Sequence, residues 1–261
     1  MRSDLGPPGL PDWFAPATRA WFGAAFEAPT AAQIAAWEAI HRGADALVVA
    51  PTGSGKTLAA FLSAIDRLMN QRPPPKKDQR CRVVYVSPLK ALAVDVERNL
   101  RAPLVGISNQ LAAAGLRVPE IRLAVRTGDT SARDRRSFTK KPADILITTP
   151  ESLFLVLTSA AREALTGVDT VILDEVHALA GTKRGAHLAL SLERLDERLA
   201  KPAQRVALSA TVRPVEEVAR FVGGARGRPG RRPVEVVQPP SSKRIDVSVK
   251  LPVEDLTDLG G

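Results

Sequence analysis

Two short stretches hold residue types that can do chemistry. The first is Ala50-Pro51-Thr52-Gly53-Ser54-Gly55-Lys56-Thr57. Gly53 and Gly55 let the backbone curl until successive N–H groups face one anion. A helix beginning directly after them adds the partial positive charge of its N-terminus. Thr52, Gly53, Ser54 and Gly55 then form a phosphate cradle, Lys56 reaches the β- and γ-phosphates of a nucleotide, and the Thr57 hydroxyl is placed to ligate Mg²⁺. Ala50 stands where the usual form of such a loop has glycine. The second stretch is Asp174-Glu175-Val176-His177, which follows the apolar run 170–173. An aspartate where a strand's carboxyl end meets a nucleotide crevice can hold Mg²⁺, directly or through water. Glu175 can polarise a water for attack on the γ-phosphate. Lys56, Asp174 and Glu175 are therefore the catalytic candidates, with ATP and Mg²⁺ as the expected cofactors. Just past the acid pair, His177 is assigned a coupling role.

A third stretch, Phe26-Glu27-Ala28-Pro29-Thr30-Ala31-Ala32-Gln33, lies upstream. The Gln33 amide both donates and accepts, which suits the N6 and N7 edge of adenine. Phe26 or Phe22 could stack on the base.

These residues must be held by alternating elements. From Asp45 onward, short β-branched runs (46–50, 82–87, 121–126, 144–148, 170–173 and 205–209) alternate with helical stretches at about 31–41, 55–69, 90–101, 104–114, 151–157, 185–199 and 214–221. Most strand candidates are near-continuous apolar runs, as in strands covered on both faces. The alternation predicts an α/β fold with a mostly parallel sheet and helices on both faces. Residues 1–24, rich in proline and aromatics, are expected to pack on a larger body spanning 25–238. The stretches 70–80 and 223–233 read as exposed loops. Beyond them come 234–237 and an alternation at Ile245, Val247, Val249 and Leu251, an extended segment that needs a partner for its apolar face.

Composition bounds the answer. A chain of 261 residues, 44% hydrophobic and 25% charged, is globular in character. Its 37 Lys and Arg against 28 Asp and Glu give a net charge of +9, which permits a polyanionic partner. One cysteine excludes an internal disulfide framework and a multi-cysteine zinc site. With no secretory-type N-terminus and no run of about 18 apolar residues, the expectation is a cytoplasmic protein with no membrane partner.

Together the three chemical stretches resemble a superfamily-two helicase, and further blocks agree in order. Ser87-Pro88-Leu89-Lys90-Ala91-Leu92 resembles motif Ia, and Arg126-Thr127-Gly128-Asp129-Thr130 resembles motif Ib or its neighbour. Thr148-Thr149-Pro150-Glu151 resembles the Thr-Pro-Glu block, Asp174-Glu175-Val176-His177 motif II in its DExH form, and Ser209-Ala210-Thr211 motif III. The block 176–194, with Gly181-Thr182-Lys183-Arg184-Gly185 running into a Leu-rich helix, is similar to the Lhr (large helicase-related) group. The resemblance covers about residues 22–237. It implies a RecA-like P-loop NTPase lobe, single-stranded DNA as the track with 3′-to-5′ translocation, and a role in DNA repair; an RNA track or RNA:DNA duplex stays open. Lys90, Thr127, Gly128 and Thr149 are the candidate nucleic-acid backbone contacts. Ser209 and Thr211 join His177 as coupling candidates, expected to bridge the ATP site and the track.

Such motors have two RecA-like lobes with ATP between them. Here the motif order stops at Thr211, so the chain reads as the first lobe, with 239–261 as a linker toward a second lobe and further C-terminal domains. Two other readings remain: a passive nucleic-acid-binding module with little intrinsic ATPase, and a small-molecule kinase. The kinase reading leaves Gln33 and Thr149-Pro150-Glu151 unexplained.

Overall fold

A computed structural model describes residues 9–224 and 232–239. Among them, seven strands form one parallel sheet: β1 (Asp45–Val49), β2 (Val83–Val86), β3 (Leu123–Arg126), β4 (Ile145–Thr148), β5 (Thr170–Leu173), β6 (Gln204–Ser209) and β7 (Val234–Val237). Their spatial order is β3-β4-β2-β5-β6-β1-β7. The helices are α1 (Pro16–Ala25), α2 (Ala31–His41), α3 (Lys56–Asn70), α4 (Lys90–Ala113), α5 (Ala132–Lys140), α6 (Pro150–Leu157), α7 (Lys183–Asp196) and α8 (Val215–Gly223).

The strands' alternation builds two cores. Val48, Tyr85, Ile147, Ile172 and Leu208 point to one face and pack with side chains of α1 to α4. Leu47, Val84, Leu146, Leu173 and Ala207 point to the other and pack with α6, α7 and α8. Each inner strand is therefore apolar on both sides, which is why the runs lack polar alternation. The expected parallel sheet with helices on both faces is present.

Three elements differ from expectation. The predicted break between 101 and 104 is absent: α4 runs straight through Pro103. Leu100, Pro103, Ile107 and Leu111 are all buried on one face. That packing outweighs a cost of about 3 kcal/mol for an interior proline. α5, not expected, is capped by Ser131, whose side chain accepts from the Asp134 N–H, and buries only Phe138. α1 forms within the proline-rich N-terminal segment, with Pro16 at its first turn. It lies against α4, where the Trp21 ring fills the space a side chain at residue 106 would need, so that position is glycine. The segment 234–237 is an edge strand parallel to β1. Residues 225–231 of the expected second loop and the alternation at Ile245 to Leu251 lie outside the described residues.

The amino ends of the strands are tied by buried charge. Arg205, 1% exposed, bonds Asp196 at 2.8 Å, Glu193 at 3.0 Å and the Val222 carbonyl at 2.9 Å. Asp45 accepts from the Arg205 N–H and pairs with Arg232 at 2.8 Å. Asp169 likewise joins Arg67 and Arg82. This edge is committed to holding the sheet together, and the opposite edge is left for chemistry.

Candidate nucleotide site and nucleic-acid track

With every strand parallel, the segments after their carboxyl ends share one edge of the sheet. The spatial order divides that edge. Neighbours β5, β6 and β1 carry Asp174-Glu175, Ser209 and residues 50–57; neighbours β3, β4 and β2 carry Thr127-Gly128, Thr149 and Lys90. β5 borders β2, so the two groups adjoin.

The loop after β1 is built as its glycines require. Gly53 and Gly55 have φ of +81° and +80°, conformations that side-chain-bearing residues resist. Gly55 is the N-cap of α3, so the exposed N–H groups of that helix open into the loop. The Lys56 ammonium folds back on its own loop, donating to the Ala50 carbonyl at 2.6 Å and the Pro51 carbonyl at 3.0 Å. Burial pushes its pKa down, while the charges of Glu175 and Asp174 act in the opposite sense. The Ser54 hydroxyl is buried without a hydrogen-bond partner. A curled backbone, an inward ammonium and an orphaned hydroxyl suit a phosphate group.

Gln33 serves the loop. Thr30 caps α2 by accepting the Gln33 N–H, and Gln33 Oε1 accepts the Thr30 N–H at 2.9 Å. The Thr30 hydroxyl donates to the Ser54 carbonyl at 2.8 Å, and Gln33 Nε2 donates to the Gly55 carbonyl at 3.4 Å. The Gln33 side chain occupies the space a Cβ at residue 55 would need. Its amide is thus held by α2 and the phosphate loop through one N–H and one oxygen lone pair, which leaves the second N–H and the second lone pair for another partner. The spacing Thr30-x-x-Gln33 is the sequence signature of this capping box, a signal that was there to be read. Of the two rings expected to meet a base, Phe22 is buried in the core and Phe26 is exposed.

Across the crevice, Asp174 Oδ1 accepts the Glu175 N–H at 2.9 Å and Oδ2 accepts from the Tyr85 hydroxyl. Glu175 has φ +44°, the one left-handed non-glycine among the described residues. Such a backbone costs about 1–3 kcal/mol and recurs at functional sites. His177 Nδ1 lies 3.3 Å from Glu175 Oε2 and 3.3 Å from the Ala210 N. Accepting the Ala210 N–H needs a bare lone pair on Nδ1, whereas pairing with the Glu175 carboxylate needs a proton there, so the two contacts favour opposite states of the ring. Ser209 is buried, its hydroxyl donating to the Ala210 carbonyl at 2.8 Å, and Thr211 is exposed. Ser209 ends β6 and Thr211 follows it, inside the nucleotide group and not between the two groups. Their link runs to His177 through the Ala210 backbone.

Among the described residues, no three His, Cys, Asp or Glu side chains gather as a closed metal site. Thr57 and Asp174 offer the sparse oxygen set from which Mg²⁺ is held with phosphates and water.

On the other half of the edge, Lys90 pairs with Asp129 at 2.7 Å, and its side chain lies against Gly128. Thr127 and Thr149 are buried. The Thr130 hydroxyl accepts the Thr127 N–H, and the Thr149 hydroxyl donates to Ser152 at 3.2 Å. Thr149 is the N-cap residue of α6, with Pro150 at the first turn. Arg184, which sequence reasoning quoted without a role, joins two of these loops: it bonds Glu151 at 2.6 Å and the Pro88 carbonyl at 2.8 Å. The nearest concavity is a groove of about 950 Å³ along the outer edge of β3, lined in part by Arg126, Thr127 and Asp129.

A parallel sheet whose carboxyl edge gathers a glycine-lysine phosphate loop and a paired carboxylate defines a RecA-like nucleotide-binding lobe. The DEAD/DEAH box helicase family profile matches residues 30–219, and the chain belongs to that family. It is 61% identical over 246 residues, 94% of its length, to the Lhr helicase/probable uracil glycosylase of Mycolicibacterium smegmatis, and 53% identical over 254 residues, 96% of its length, to the Lhr helicase/uracil glycosylase of Escherichia coli. It spans 16% of each of those relatives. The structure of the M. smegmatis helicase Lhr bound to ssDNA and AMP-PNP superposes with a TM-score of 0.83 at 60% identity, over 95% of this chain and 30% of that one. The DNA-bound helicase MrfA, at 20% identity and a TM-score of 0.71 over 89% of this chain and 30% of that one, shares the fold.

Proposed function

We propose that this chain is the ATP-binding first lobe of a nucleic-acid motor, a cytoplasmic helicase that moves 3′ to 5′ on single-stranded DNA in repair. The observation that carries the reading is the division of one sheet edge into a phosphate-loop half and an adjoining half of helix-capping and lysine-bearing loops. The M. smegmatis relative bound to ssDNA and AMP-PNP supports it. Residues 1–24 ride on the 25–238 lobe, and 239–261 lead to a second RecA-like lobe and C-terminal domains. An RNA:DNA duplex is the alternative track. Among the described residues, no helix is long and apolar enough to cross a membrane.

Each group has a task. Lys56 exchanges the Ala50 and Pro51 carbonyls for oxygens of the β- and γ-phosphates. Gly53, Ser54 and Gly55 present N–H groups, Thr52 borders the cradle, and Gln33 braces the loop while its remaining donor and acceptor read the N6 and N7 edge of adenine. Thr57 and Asp174 would hold Mg²⁺, which supplies positive charge against the phosphates when bound. Glu175 orients a water and accepts its proton. His177 senses the Glu175 carboxylate and the Ala210 N–H together, and so relays the state of the site to Ser209 and Thr211. Lys90, Thr127, Gly128 and Thr149 hold backbone phosphates, contacts that carry no base readout.

Binding of a labelled single strand with and without AMP-PNP tests the reading. Nucleotide-dependent DNA binding, weakened by salt, is expected. A chain that binds AMP-PNP but no strand at any salt would remove the nucleic-acid contacts from this lobe.

A further inference from the structure

Tyr85 is the chain's one tyrosine and stands in the middle of the sheet on β2, fully buried. Every neighbour in its strand is valine. A hydroxyl placed there costs stability unless it finds a partner, and a phenylalanine would fill the same space without that demand. The hydroxyl does have a partner: it donates to Asp174 Oδ2, on the adjoining strand. The register makes this possible, since Tyr85 pairs with Ile172 and both point to the α3 face, as Asp174 does two residues on. On that face the Tyr85 ring lies 5.0 Å from the Phe61 ring. Phe61 is one turn past Thr57 on α3. Two residues past Tyr85, the Ser87 hydroxyl donates to the Leu89 carbonyl at 3.1 Å, in the loop that leads to Lys90.

Asp174 therefore has each oxygen fixed by one donor, the Glu175 N–H and the Tyr85 O–H. We propose that Tyr85 is a positioning residue: it holds the Asp174 carboxylate in the orientation that receives the metal of a bound nucleotide, and it ties that carboxylate to the strand that leads into Ser87 and Lys90. The inference rests on the nucleotide-site reading above. Removing an outer hydrogen bond of this kind lowers metal affinity about 10- to 100-fold in other sites. The hydroxyl acts through one carboxylate of a mostly water- and phosphate-bound metal, so the lower figure applies.

The test is Tyr85→Phe in the full chain, read by Mg²⁺ titration with a fluorescent ADP analogue. The half-saturating Mg²⁺ should rise about tenfold, at unchanged metal-free nucleotide affinity. In an Asp174→Asn background the same change should have no further effect on Mg²⁺ dependence. With one tyrosine in the chain, 3-fluorotyrosine labelling should place a single ¹⁹F line. That line should move when Mg²⁺ joins bound ADP in wild type and stay fixed in Asp174→Asn. Equal Mg²⁺ dependence of Tyr85→Phe and wild type, or effects that add in the double variant, would overturn the proposal. A Tyr85→Phe chain that melts far below wild type without metal would overturn it too, by assigning the hydroxyl to the fold. If wild type binds no ADP at all, the nucleotide-site reading fails first, and that result is distinct from either of these.

Discussion

At the residue scale, the acid pair and the lysine divide the work in a way that substitutions can separate. Glu175→Gln keeps the size and hydrogen-bonding ability of the side chain but removes the base. In the full-length protein it should leave nucleotide affinity intact and reduce hydrolysis by at least about 100-fold, the lower end of general-base contributions; steady-state ATPase beside a binding titration checks this. Normal turnover would remove Glu175 from the base role. Lys56→Ala should cost most of the phosphate affinity, because the side chain now donating to two loop carbonyls is the one poised for the anion. Its burial also predicts a pH effect in the nucleotide-free chain. Because its pKa is lowered, the unfolded chain holds more protons than the folded one just below pH 10.5, so folding stability contributed at Lys56 should rise with pH through that window. Comparing melting against pH for wild type and Lys56→Met isolates this term.

At the scale of elements, two charged devices differ in consequence. Arg184 and Glu151 brace the loops after β2 and β4, and each is about half exposed, at 46% and 53%. The hydrogen bond from Arg184, the largest influence, holds the Glu151 carboxyl below its usual range. The pair's contribution is therefore complete above about pH 4.5 and is lost as pH falls through the lowered folded value. Solvent screening keeps it under about 1 kcal/mol, so Arg184→Ala should barely move the melting temperature yet weaken DNA binding, measured by anisotropy. Arg205 is the opposite case. Buried against Asp196, it should cost about 3 kcal/mol when changed to Ala, because the buried Asp196 carboxylate keeps only the Ala203 N–H and a 3.8 Å contact with Arg232. Chemical denaturation checks this figure.

The elements also explain how much could be read beforehand. The inner strands announced themselves because both faces are buried, leaving unbroken apolar runs. The phosphate loop did so because glycine and lysine at those spacings have few other uses. α5 escaped because a single buried phenylalanine leaves no periodicity, although Ser131 and Asp134 mark its cap. α4 was divided at Pro103 because local propensity argues for a break, and only the packing of its long buried face decides otherwise. The engagement of Gln33 by the phosphate loop, and of Tyr85 by Asp174, depends on which strands and helices become neighbours. Strand order is not written in any one segment.

At the scale of the whole molecule, one lobe supplies only half of the surface that encloses the nucleotide in a two-lobed motor. Arginine fingers contribute about 10³–10⁵ in turnover in related phosphate-loop enzymes, and the proposed second lobe would supply them. This chain alone should therefore bind Mg-ATP weakly and hydrolyse it hardly at all, with or without single-stranded DNA. Robust DNA-stimulated turnover in a coupled ATPase assay would defeat the two-lobe reading.

The position of β7 has a mechanical meaning. It is a four-residue outer strand held to the sheet by its ladder with β1, and Val237 lies level with Val48, two residues before the phosphate loop opens. A pull directed along β7 would load its hydrogen bonds with β1 in shear, so that they share the load instead of parting one by one. Tension arriving from downstream would thus be delivered, undissipated, to the strand on which the triphosphate cradle is mounted.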